Sequence, residues 1–143
     1  MSKFPARLVE VGVDVVIRFK GFNTYGTWEK AVKALRRRAP GFTDTEYELL
    51  FLKLSDLFDR AVELIFSRSE RVFPKRENKN RQYAEFEDVD YQYCLERLRA
   101  SKSHISQSAN QQILSWVIHY YYLIQSRGHM NSASSRSELT VNN

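Results

Sequence analysis

The sequence predicts an all-α fold, a single-domain bundle of four to five mostly antiparallel helices, on three observations. A polar stripe of Gln111, Gln112, Ser115, His119, Tyr122 and Ser126 recurs every three or four residues through an otherwise apolar run from Ser108 to Arg127, the pattern of a helix buried on most sides. Thr43-Asp44-Thr45-Glu46 reads as a capping box, with Thr43 at the N-cap and Glu46 at the third helical position, opening a long amphipathic segment. Glycine (5) and proline (3) are scarce in a chain of 143 residues, which disfavours a turn-rich all-β architecture. With 43% hydrophobic and 13% aromatic residues the chain has ample material for one core. The bundle is expected over residues 1–128, followed by a disordered Ser- and Asn-rich tail over residues 129–143.

The first segment, Leu8 to Phe22, carries two periodicities. Val9, Val11, Val13, Val15, Ile17 and Phe19 alternate as in a strand. Arg7, Glu10, Asp14 and Arg18 are spaced three or four apart, one polar stripe on an otherwise apolar helix, with Asp14 placed to pair with Arg18. No second segment alternates comparably to partner a strand, so helix is the reading, ending near Gly21 with Pro5 in its first turn.

Thr27 is the expected N-cap of the second helix, which places Trp28, Ala31, Val32 and Leu35 inward and ends at Pro40-Gly41. The third runs from its capping box to about Arg71, with Phe42 stapled to Tyr47 and a wide apolar face that includes Leu54 and Phe58. Asp88 is expected to cap a fourth helix with Val89, Tyr93, Cys94, Leu95 and Leu98 inward. Ser108 and Gln111 form a second capping-box pattern, and Gly128 follows Arg127 as a C-cap. Leu54, Phe58, Trp116, Val117 and Tyr120 are the expected core of the long helices.

Charge is distributed unevenly about a net +5. Residues 1–43 hold nine Lys or Arg against three Asp or Glu, and residues 44–73 hold four against seven. The basic candidates for a binding surface are Lys30, Lys33, Arg36, Arg37 and Arg38 on the second helix, with Lys75, Arg76, Lys79 and Arg81 in the loop that follows Phe73-Pro74. Such cations attract phosphates without reading sequence, and Trp28 or Tyr25 could stack on a base. Cations in a last helical turn also suit the helix dipole, which gives the Arg triplet a purely structural role as well.

Cys94 is the lone cysteine, so no intrachain disulfide forms, and no thiolate-rich zinc site either. No leader-like N-terminus and no apolar run near the roughly 18 residues of a membrane span is present. The expected location is the cytoplasm, away from membranes. There is no phosphate-binding glycine loop, dinucleotide fingerprint or His-Glu-x-x-His. The acidic run Glu85, Glu87, Asp88 and Asp90 reads as solvated or capping residues, so no metal and no cofactor is assigned. His119 lies on the polar stripe of the last helix, at a helix interface or lining a pocket. Cys94 reads as a small core residue.

Arg99-Ala100-Ser101-Lys102-Ser103-His104 resembles the Arg-x-x-x-x-His pattern of the HEPN family, helical bundles that include metal-independent ribonucleases. The resemblance implies that Arg99 stabilises phosphoryl charge and that His104 acts as general acid or base. This chain has Ala100 where that family often has a polar residue.

The leading expectation is a non-enzymatic helical interaction module that contacts nucleic acid or an acidic protein partner through its basic face. A HEPN-like ribonuclease or toxin acting through Arg99 and His104 is the alternative. Apolar residues reach far enough around the first and last helices for one of them to be buried in a homodimer.

Overall fold

The valine alternation near the N-terminus resolves as a helix, α1 (Ala6–Phe22), packed against α2 (Trp28–Arg38), α3 (Asp44–Phe66) and α5 (Gln107–His119). The computed structural model describes residues 4–67, 69–74 and 88–120, and among them there are five helices and no strand. Neighbours on three sides explain why α1 mimics a strand. Leu8, Val9, Val13, Val15 and Val16 are all buried, leaving Arg7, Glu10, Asp14 and Arg18 as the strip that meets solvent. A helix enclosed this far must be apolar at more positions than one amphipathic face allows.

α1 and α3 form the central pair. Both α2 and α5 pack against each of them without a comparable contact to one another, so α2 and α5 lie on either side of the pair; α4 (Tyr91–Arg99) completes the bundle against α3 and α5. One core runs through the molecule, with Tyr47, Phe51, Phe58 and Phe73 the largest fully buried side chains. Lys20 of α1 pairs with Asp59 of α3 at 2.9 Å beside it.

The helix ends follow local chemistry. Pro5 is the N-cap of α1, one place outside the helix, and Asn23 closes it in the left-handed region at φ 55° while its N–H donates to Phe19 O. Thr27 Oγ1 accepts from Lys30 N to start α2. Gly26 and Gly41, at φ 83° and 105°, make the turns on either side of α2, where a Cβ would be strained. The α3 capping box forms in both directions, and Phe42 lies edge-on to Tyr47 with ring centroids 6.0 Å apart. Tyr47 does more than staple. Its buried hydroxyl donates to Ala39 O at 2.6 Å and so fixes the α2–α3 connection.

Three expected boundaries move. α3 stops at Phe66 rather than near Arg71, because the Ser67 hydroxyl donates back to Leu64 O and the chain turns at Ser69 to bury Val72 and Phe73. Asp90, not Asp88, caps α4, accepting from Tyr93 N, and Asp88 is itself buried. Ser106, not Ser108, caps α5 through Ala109 N, so the Ser108–Gln111 box does not form; Ser108 Oγ instead accepts from Gln112 Nε2 within the helix. α5 ends at His119, and the expected continuation to Gly128 lies outside the described residues, as does the tail. Leu54, Phe58 and Val117 are buried as expected, whereas Trp116 and Tyr120 are half-buried, because they stand at the edge of an open groove.

Candidate functional site

Of the five cations of α2, two are held by carboxylates of neighbouring helices. Arg36 reaches Asp44 at the start of α3 at 3.1 Å and lies over the Tyr47 ring. Arg38 reaches Asp14 of α1 at 2.6 Å, where Arg18 binds the same oxygen at 3.0 Å. Partial burial pushes the Asp14 carboxyl up, but the hydrogen bonds and charges of Arg38 and Arg18 outweigh it and hold it below its ordinary value. The same carboxylate raises Arg38.

Lys30, Lys33 and Arg37 remain. All three are exposed, and none makes an ion pair among the described residues. Their spacing of three and four puts them along one side of α2. Trp28 is not on this stripe; it donates to Glu48 Oε1 at 3.1 Å and packs on Phe19 and Phe51, so it is half-buried. Lys75, Arg76, Lys79 and Arg81 lie outside the described residues.

Arg99 and His104 are placed by different elements. Arg99 is exposed in the last turn of α4. His104 sits half-buried in the connection to α5, where its Nδ1 is 3.0 Å from Asn110 Nδ2. Asn110 is wholly buried and its Oδ1 has no partner, so turning the amide over would set that oxygen against a protonated Nδ1. No hydrogen bond joins Arg99 to His104 among the described residues. Their connection is instead anchored to α3, with the Ser103 hydroxyl donating to Asp56 and the Lys53 ammonium donating to Lys102 O.

Cys94 is buried, and burial together with the Asp90 charge pushes its thiol up to about 12. It is a core residue without thiolate character at neutral pH. Among the described residues no three His, Cys, Asp or Glu side chains stand close enough to hold a metal ion.

The polar stripe of α5 is the feature whose setting sequence reasoning missed. Gln111, Gln112, Ser115 and His119 form one wall of a groove of about 630 Å³ that Ile17 of α1 and Tyr91 of α4 close from the other side. Tyr91 Oη is 3.1 Å from Ser115 Oγ, which ties the start of α4 to α5. Trp116 and Tyr120 stack at the end of the groove with centroids 4.9 Å apart, braced by Phe22 and Phe58. Tyr122 and Ser126 lie outside the described residues.

Comparison with protein-family models, with curated proteins and with solved structures finds no match for this chain.

Proposed function

We propose that the protein is a non-enzymatic helical binding module that docks the phosphate backbone of nucleic acid on the Lys30, Lys33 and Arg37 stripe of α2. One observation carries the reading: the other two cations of α2, Arg36 and Arg38, pair with Asp44 and Asp14, and these three stand in solvent on a single helix side. Three point charges at helical spacing supply affinity without sequence readout, so the partner is recognised as a polyanion. The lone buried thiol suits a reducing compartment, and the cytoplasm is the proposed location. Among the described residues no helix is long and apolar enough to cross a membrane.

The test is anisotropy of a labelled single-stranded RNA and of a DNA duplex titrated with the full chain at rising salt. If all three cations touch phosphate, log affinity falls with log salt at a slope of about −2 to −3, and replacing all three by Ala removes that slope. No association at low salt, or association that the triple replacement leaves intact, overturns the proposal. Running the RNA on a gel after incubation tests the HEPN-like alternative in the same samples, since that reading requires cleavage that His104→Ala abolishes.

A further inference from the structure

The groove between α1, the start of α4 and α5 lies across the α1–α3 pair from the basic stripe, so the polyanion reading leaves it unused. It is an open groove with about 630 Å³ of space, so a ligand in it is held on one side and stays partly in solvent. Two properties of its lining narrow the ligand. Among the described residues that line it there is no Lys, Arg, Asp or Glu, so a charged group entering it meets no counter-charge from them. It sets two half-buried aromatic rings beside one uncommitted carboxamide: Trp116 and Tyr120 are stacked on each other with 26° between their planes, and the Gln111 side chain bonds to no described residue. The nearby Tyr91 and Ser115 hydroxyls hold each other and the Gln112 amide donates to Ser108, whereas the Gln111 carboxamide keeps a donor and an acceptor side by side.

A neutral, planar molecule with a donor next to an acceptor on its edge fits that combination. Nucleobases have this form: a Gln amide pairs bidentately with a base edge, and bases stack on aromatic side chains. We propose that this groove binds an unmodified nucleobase, delivered as a free nucleoside or as an unpaired base of a single strand. Gln111 reads the base edge, and the Trp116–Tyr120 pair supplies the stacking surface. The proposal does not rest on the basic stripe, since a nucleoside has no phosphate.

The experiment is a titration of the full ¹⁵N-labelled chain with adenosine, cytidine and uridine, reading the Gln111 side-chain amide and the Trp116 indole N–H. Saturable shifts of both resonances at millimolar nucleoside are expected for one of the three. Gln111→Ala, an exposed change, should weaken binding about tenfold at an unchanged melting temperature. The variant lacking the Lys30, Lys33 and Arg37 charges should bind the nucleoside as the wild type does. A four-residue single-stranded RNA that shifts the same resonances at lower concentration identifies the strand as the source; one that is no tighter identifies the free nucleoside. No saturable shift with any nucleoside, or shifts that Gln111→Ala leaves unchanged, overturns the proposal.

Discussion

Gly21 of α1 lies against the indole edge of Trp116 of α5 so closely that a Cβ on Gly21 would stand 2.3 Å from Cη2 and 2.5 Å from Cζ2. The missing side chain is what lets α5 approach α1 at the end of the groove, and it sets the position of Trp116 beside Phe22 and Tyr120.

Gly21→Ala therefore opposes two effects. Alanine gains up to about 1 kcal/mol of helix propensity over glycine. Against it, the indole is stiff and held from behind by Phe58, and overpacking of this kind costs about 1–3 kcal/mol. The clash wins. The denaturant midpoint is expected to fall with the slope unchanged, together with a change in Trp116 emission. A midpoint above wild type would mean that the indole swings away freely and that α5 does not depend on this contact.

How much of this was legible in the sequence depends on which residues decided it. Helix content and the α3 start were readable, because Thr43 and Glu46 act within four residues of one another. The early stop of α3 was not, since it reflects burial of Val72 and Phe73 against the core, a tertiary effect that no local spacing encodes. The shift of the α5 cap by two residues has a similar cause: both Ser106 and Ser108 can cap, and the choice follows from burying Ile105 and Ala109. At the candidate sites the pattern gave residues but not partners. Five basic residues on α2 look equivalent in sequence, and only the approach of Asp14 and Asp44 separates Arg38 and Arg36 from the other three. The α5 stripe was visible, but its second wall, Ile17 and Tyr91, comes from residues 94 and 20 positions before Gln111.

Asp14 sets an acid-side prediction. Its folded value is lowered, so the unfolded chain binds the proton more readily, and the contribution of the pair is present above the ordinary carboxylate value of 3.8 and lost as pH falls through the lower folded value. Asp14→Asn should reduce stability at neutral pH by about 0.5–1 kcal/mol, a modest figure because Asp14, Arg18 and Arg38 are each substantially exposed. The gap between wild type and variant should narrow with added salt, and close as pH falls through the lowered folded value of Asp14. Denaturant midpoints at neutral and acid pH measure both. A gap that persists at acid pH would show that the carboxamide of the variant fails for reasons of shape rather than charge.

Cys94 sets the alkaline counterpart. The thiol is fully buried in α4, and burial with the Asp90 charge moves it from 9.0 to about 12. A folded value above the unfolded one means that the folded chain keeps a proton the unfolded chain has released. The contribution is thus complete below about pH 9, and it is lost progressively as pH rises towards 12. Cys94→Ala removes that ionisation, so its stability should decline less steeply over the same range, even though it starts lower because of the small cavity left beside Leu95 and Leu98. A thiol reagent offers an independent measurement at neutral pH. The native protein should label only at the rate at which α4 opens, and denaturant should accelerate labelling in step with unfolding. Rapid labelling of the folded protein would place the thiol at the surface and remove the basis for the alkaline prediction.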